Sequence, residues 1–427
     1  MINKHSLKAI ERAKFSKSFI RPLYDSYCFS NIPQTIKDIF FQESKSMLPK
    51  EVFGNLPRKY DKVVLFFVDG FGWKFFDRCA KKNPFLKYIV KNGMASQLTT
   101  QYPSTTSAAL TTIHTGLPVG KSGVYEWLYY EPKLDAIIAP LLFSFAGKKE
   151  RGNLQPTGIN PKDLFPNRTI YQELHNRGVA SYVFGHTEYA DSPYSKIMTK
   201  GADVISYNTI PEAFANLADM LINNNKKTYH FAYFDNIDKM AHKYGPDSPQ
   251  LTTEIDSFFS AMGQLFLNKL KGKLNNTLLM ITADHGHASI NPKTAVYLNK
   301  HFPEIKKWIK TNKKGELLAP AGSCRNMILH IKEKYLTRAH AFLQEALAGK
   351  AEVYRVEDLI EQHFFGSGKP SKTFLDRVGN LAILPYNNEL VWWYEKGKFE
   401  IKYHGYHGGM TPEEMKTVLL LLSLGTS

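Results

Sequence analysis

Three apolar runs in this chain each end on acidic or imidazole side chains, and they restrict its fold more than any other feature. The first is Lys62-Val-Val-Leu-Phe-Phe-Val-Asp69-Gly70. The second, Thr228 to Phe234, leads into Asp235-Asn-Ile-Asp238 and, four residues on, His242. The third runs from Asn276 through Thr-Leu-Leu-Met-Ile-Thr-Ala to Asp284-His285-Gly286-His287. Continuous β-branched and aromatic runs without alternation read as strands buried on both faces, as in a parallel sheet. Open α/β sheets bind ligands at the carboxyl ends of their strands. Three such strands would therefore bring their polar ends to one edge.

The intervening segments supply the helices. Thr169 to Arg177, Ile210 to Asn223 and Leu251 to Leu270 have helical patterns, and Ala180 to Gly185 reads as a further strand. This alternation predicts an α/β fold with a mostly parallel central sheet and helices on both faces. Residues 1–55 read as a mainly helical arm, punctuated by Pro22, Pro33 and Pro49. From 291 to 402 lysines and aromatic residues increase and the helix and strand signals mix, so this stretch is expected to be an inserted α+β cap. Within it, Leu390 to Ile401 reads as a hairpin turning at Gly397. The core is expected to comprise 56–290 and 403–427. Thr411-Pro-Glu-Glu has the signals of a helix start, with the helix continuing to about Ser423.

Composition narrows the class. A chain with 43% hydrophobic and 22% charged residues is globular and soluble by type. No apolar run is long enough to span a bilayer. The basic N-terminus is not followed by an apolar signal core and cleavage site, so a cytoplasmic protein is expected, with signal-independent export left open. Cys28, Cys79 and Cys324 are far apart and form no CxxC pair, which argues against a disulfide framework or a cysteine zinc site. The net charge of +16 is most simply a solvated lysine-rich surface. Attraction to phosphate-bearing substrates, nucleic acid or an anionic membrane is the functional alternative.

The stretch Pro103-Ser-Thr-Thr-Ser-Ala-Ala-Leu-Thr-Thr-Ile-His-Thr-Gly116 adds a reactive group. Ser104, Thr105 and Thr106 can cap a helix start, and Gly116 can stop it. The free N–H groups and positive dipole end at such a start suit an anion. A hydroxyl placed there could attack it. The aromatic segment that follows, with Tyr125 and Trp127, is a candidate pocket wall and substrate contact.

Asp69, Asp238, His242, Asp284, His285 and His407 form a set of six oxygen and nitrogen ligands. Two neighbouring divalent metals need about three protein ligands each. Asp238 and His242 share a face if their segment is helical. Any one of these acids alone is more often a turn residue or helix cap; their convergence carries the reading. Asp235 is the nearest rival to Asp238. His114, His287 and His404 are read as local hydrogen-bonding or supporting side chains.

Taken in order, Val-Asp69-Gly, Pro-Ser-Thr-Thr…Thr115-Gly-Leu-Pro, Asp238…His242-Lys-Tyr-Gly-Pro, Ala-Asp284-His285-Gly and His407-Gly-Gly resemble the alkaline phosphatase superfamily. Within it, the chain looks like the type I phosphodiesterase/nucleotide pyrophosphatase branch, from about Val63 to Met415. The resemblance implies one metal on Asp69, Asp284, His285 and the nucleophile oxygen, and a second on Asp238, His242 and His407. It implies a threonine nucleophile nine residues before the Thr of Thr115-Gly116, which is Thr106. Ala109 stands where the branch often carries a phosphate-gripping Asn.

The implied activity is two-metal hydrolysis of phosphodiester or pyrophosphate bonds, in nucleotide-type or related small phosphate esters, through a covalent threonine. Mixed His and Asp ligation makes zinc the first expectation, with manganese or iron as alternatives. A phosphomonoesterase or phosphonate hydrolase on the same fold is the alternative function. A non-catalytic nucleic-acid or membrane-binding protein would be expected to have lost ligands, and all six are present.

Overall fold

The computed structural model describes residues 1–148 and 150–425. Its centre is a seven-stranded sheet: β1 (Lys62–Val68), β2 (Met94–Thr99), β3 (Ala180–His186), β4 (Asp203–Tyr207), β5 (Thr228–Phe234), β6 (Thr277–Thr282) and β7 (Lys416–Leu424). The spatial order is β2-β7-β6-β1-β5-β3-β4. β1 lies in register between β5 and β6 and parallel to both, with Lys62 opposite Thr228 and Thr277. The carboxyl ends of the three apolar runs therefore finish side by side.

Every residue of β1 and of β6 is buried, so both faces of the sheet are covered. Val63, Leu65 and Phe67 pack on one side, in a cluster containing Ala108, Ile113, Ile36 and Leu174. Val64, Phe66 and Val68 pack on the other, with Phe214, Leu217, Ile255 and Phe259. Alternate side chains thus enter two different cores, as the pleat dictates. The expected α/β sheet with helices on both faces is what the structure has.

The C-terminal expectation is corrected. Only Pro412–Met415 is helical, closed by a capping box in which Thr411 and Glu414 satisfy each other. The chain then becomes β7, the one strand that runs against the other six, paired to β2 on one side and to β6 on the other. Leu419 to Leu422 would suit a helix by propensity. A slot buried on both faces between two strands overrides that preference. The strands β2 and β4 are additions to those the apolar runs predict. β4 is mostly exposed at the sheet's edge, and β2 begins Met-Ala-Ser-Gln, a mixed pattern with no apolar run.

The N-terminal arm is less helical than expected. It has helices at Lys4–Glu11 and Ile32–Phe41, joined by irregular chain that drives Phe19 and Phe29 into the core. Within 291–402, strands Gly322–Ser323, Asn326–Leu329, Leu381–Pro385 and Ala351–Arg355 form an antiparallel sheet, with helix Leu336–Ala346 alongside. The predicted hairpin at Gly397 does not form. Val391–Trp392 instead pairs in parallel with Val296–Tyr297, and Trp392 and Trp393 are buried. Among the described residues no helix is long and apolar enough to cross a membrane.

Candidate active site

Helix α1 (Thr106–Thr115) begins where the sequence places it, with Thr105 as N-cap and Gly116 in the left-handed conformation at its end. Among the described residues no N-cap side chain bonds its first turn. The leading N–H groups therefore face the site with their hydrogen-bonding capacity and positive dipole end free. Thr106, the first helical residue, sets its hydroxyl 3.3 Å from Nε2 of His285. Ala109 is buried in the helix, and its N–H is spent on the Thr105 carbonyl.

Asp69 follows β1, and Asp284 and His285 follow β6. His285 Nε2 lies 3.1 Å from Asp284 Oδ2 and 3.5 Å from Asp69 Oδ1. Both of those carboxylate oxygens are buried without a hydrogen-bond partner. Their sister oxygens are occupied. Gly70 N–H donates to Asp284 Oδ1 at 3.0 Å, and the Tyr233 hydroxyl donates to Asp69 Oδ2. Each carboxylate is thus fixed on one side and left bare on the other, towards the same point.

Helix α2 (Asn236–Tyr244) carries Asp238 and His242 one turn apart on one face. His407 reaches them from the turn that precedes β7. Asp238 Oδ1 stands 3.5 Å from His242 Nε2, 3.8 Å from His407 Nε2 and 2.9 Å from His287 Nε2. The His285 and His407 rings stack at 3.4 Å between centroids. All six expected ligands and Thr106 therefore meet at one place. Asp235 does not join them: it pairs with Lys239 at 2.9 Å and lines the neighbouring cavity. The His404 side chain is exposed, and His114 bonds Tyr171 at 2.7 Å behind α1.

Three imidazoles share one device. Nδ1 of His242, His285 and His407 faces the carbonyl of Gly405, Gly286 and Ser104, at 2.7, 3.1 and 2.9 Å. A carbonyl only accepts, so Nδ1 carries the proton in each case and Nε2 presents a lone pair to the site. Bare carboxylate oxygens facing aligned imidazole lone pairs are the donor set of a divalent-cation site, and the residues fit such ions.

His287, expected to be a hydrogen-bonding or supporting side chain, has that place: it meets the ligand Asp238 rather than standing among the six ligands. Its Nδ1 is buried without a partner, so the stable tautomer donates Nε2–H to Asp238.

Burial acts to lower the His285 pKa, but the charge of Asp284 outweighs it and raises it. Burial, then the charges of Asp284 and Asp238, push the Asp69 pKa well above the carboxylate range. Burial also acts to raise Asp238, but His242 and the hydrogen bond from His287 outweigh it and hold Asp238 well below that range. Burial and the neighbouring His285 keep His407 neutral by lowering its pKa strongly. A cluster of three acids with this much mutual repulsion gains from a cation at its centre.

Beside Thr106 a cavity of about 240 Å³ opens between α1, the ends of β3 and β5, and residues 189–199. Trp127, 41% exposed, stands on its wall. Tyr125 does not. It is fully buried, stacks on Tyr129 and donates its hydroxyl to the Arg377 carbonyl, so its expected substrate contact is corrected to a packing role.

A family model described as "Type I phosphodiesterase / nucleotide pyrophosphatase" matches residues 63–410. The human ectonucleotide pyrophosphatase/phosphodiesterase family member 5 is 24% identical over 256 residues, covering 56% of this chain and 48% of that protein. The chain thus spans about half the length of that relative. Mouse family member 7 is 21% identical over 390 residues, covering 90% and 81%. Among solved structures, an inactive form of murine ectonucleotide pyrophosphatase/phosphodiesterase 5 in complex with AMP shares the fold, with a TM-score of 0.63 and 20% identity, covering 84% of this chain and 87% of that one. Phosphonoacetate hydrolase from Sinorhizobium meliloti 1021 is similar at a TM-score of 0.59 and 15% identity, covering 84% and 89%.

Proposed function

The chain belongs to the type I phosphodiesterase/nucleotide pyrophosphatase family, and from that premise we propose that it hydrolyses phosphodiester or pyrophosphate bonds through a covalent phosphoryl-threonine at Thr106. The observation that carries this reading is the position of the Thr106 hydroxyl. It sits at the uncapped start of α1 and 3.3 Å from His285, inside the cluster of bare carboxylates and imidazoles.

Asp69, Asp284 and His285 would hold one divalent ion together with the Thr106 oxygen, and Asp238, His242 and His407 the other. Zinc suits this mixed nitrogen and oxygen set. Bound there, the ions would lower the pKa of the threonine hydroxyl and neutralise charge on the phosphoryl oxygens. Thr106 Oγ forms the new bond to phosphorus as the bond to the leaving oxygen breaks, and the hydroxyl proton ends on that leaving group. Water then attacks phosphorus from the vacated side, freeing the phosphate product and restoring Thr106. The first N–H groups of α1 face the phosphoryl oxygens, a role that suits a helix start without an Asn at position 109.

The test is hydrolysis of bis(p-nitrophenyl) phosphate and p-nitrophenyl phosphate, before and after chelation and with zinc, manganese or iron restored. The diester should be the better substrate, with turnover lost on chelation and regained with metal. Turnover indifferent to chelator would sink the reading. A preference for the monoester would make the protein a phosphomonoesterase on the same fold.

A further inference from the structure

The cavity beside Thr106 differs in character from the cluster it adjoins. Its wall is largely hydrocarbon: Leu110, Leu142, Val183 and Phe231 line it. Most of the polar side chains on it are already engaged. The Ser192 and Ser195 hydroxyls bond each other at 3.0 Å, and Ser195 also donates to the Tyr189 carbonyl. Thr199 donates to the Ser195 carbonyl, and the Tyr194 hydroxyl pairs with Thr111. His114 turns Nδ1 to Tyr171 and is held neutral, its pKa lowered to about 3 by burial.

The charges at the rim neutralise one another. Asp235 meets Lys239 at 2.9 Å, Lys239 reaches Glu188 at 3.9 Å, and Glu188 meets Arg151 at 3.5 Å. The Tyr189 hydroxyl is buried and unpartnered. Apart from Asp69 and Asp238, which belong to the metal-ligand cluster at its mouth, the described residues offer the cavity one orphan hydroxyl, one neutral ring edge and the mutually paired charges of the rim.

We propose that this cavity seats an uncharged, mainly hydrocarbon arm of the phosphate ester, about the size of one substituted ring or a short alkyl chain, in preference to a nucleobase. The inference rests on the hydrolase reading for the chemistry at Thr106, and it adds the class of substrate. Size sets one bound. A cavity of 240 Å³ exceeds the roughly 150 Å³ apolar cavity that holds a benzene ring, so it buries about one ring or a short chain, and any longer arm would leave through its open mouth. Hydrogen bonding sets the other. A nucleobase edge carries several donors and acceptors, and each one buried without a partner loses its bonds to water with nothing in return. A hydrocarbon arm carries none, and gains about 0.8 kcal/mol per methylene removed from water.

Calorimetry on the metal-loaded protein tests this with single-armed probes: methyl-, butyl-, hexyl- and phenylphosphonate, and AMP. Affinity should rise about fourfold per methylene until the cavity fills. Phenylphosphonate should bind more tightly than both methylphosphonate and AMP. Val183→Thr, which keeps the shape and adds a hydroxyl, should flatten the gradient from methyl to hexyl. Leu142→Asn should do the same from the half-exposed side. A flat series from methyl to hexyl in the wild type, or AMP as the tightest probe, would overturn the proposal. Because binding is read without turnover, either outcome stands apart from a failure of bis(p-nitrophenyl) phosphate hydrolysis.

Discussion

Arg325 grips Glu414 with two parallel hydrogen bonds, Nε to Oε1 at 2.9 Å and Nη2 to Oε2 at 2.8 Å, and both side chains are fully buried. Arg325 comes from the strand-and-turn region of residues 322–329, and Glu414 from the turn before β7. The same Glu414 carboxylate accepts from Gly409 N–H and from the Thr411 hydroxyl, shaping the segment that holds His407. Its backbone carbonyl accepts from Gly286 N–H, next to His285. One residue therefore steadies two of the segments that carry imidazole ligands, and the guanidinium balances its charge.

Breaking that pair from one side should be costly. Arg325→Met alone or Glu414→Leu alone is expected to lose about 3–5 kcal/mol, because either leaves a buried charge unpaired. The double variant should recover most of the stability in urea unfolding, yet still bind zinc more weakly than wild type in a chelator competition. A double variant with wild-type zinc affinity would show that the pair does not position the ligands.

Thr106→Ala should lower kcat/KM for the diester by on the order of 10⁶-fold, the scale seen when a nucleophile is removed. It should leave the fold and the thermal midpoint close to wild type, since Thr106 caps nothing. Thr106→Ser should keep measurable turnover. Equal activity in the Ala variant would exclude a covalent threonine.

His287 holds Asp238 Oδ1 at 2.9 Å. His287→Ala should weaken metal binding by about 10–100-fold, the usual cost of losing a partner behind a ligand. His287→Gln, which can still donate a hydrogen bond, should recover part of it. Cobalt substitution followed by its visible spectrum reads the site directly, without reference to turnover.

Acid should destabilise this protein early. Burial lowers the pKa values of His114, His230 and His330 to about 3 each. The unfolded chain takes up these protons near pH 6.5, while the folded chain refuses them. Stability is therefore full above about pH 6.5 and is lost as the pH falls towards 3, by up to about 1.4 kcal/mol per pH unit for each histidine. Thermal melts between pH 7 and 4.5 should show this slope, and His330→Phe should reduce it. Melts flat from pH 7 to 5 would contradict neutral burial of all three.

The sequence was most readable where hydrophobicity and function coincide. Asp69, Asp238 and Asp284 could be placed on one edge because each closes or follows a continuous apolar run, and parallel neighbours must end together. The helix start at Thr106 was readable from its hydroxyls and its terminal glycine. What escaped depends on partners distant in sequence. Nothing near Arg325 announces Glu414, which reads locally as an acid in a first helical turn. Leu419 to Leu422 look helical until the open slot between β2 and β6 is known. Tyr125 and Trp127 are two residues apart in one aromatic run, yet one is core and the other cavity wall. A run of that composition carries no period to separate them.

The placement of β7 has a consequence for biosynthesis. It fills the slot between β2 and β6, so neither strand has its full set of neighbours until residue 424 has left the ribosome. Translation of residues 283–415 takes on the order of ten seconds at ordinary elongation rates. Throughout that interval the nascent chain carries two unpaired strand edges with nothing between them. Such edges are templates for pairing with another chain. A cell making this protein in quantity would need its nascent-chain chaperones to guard that gap.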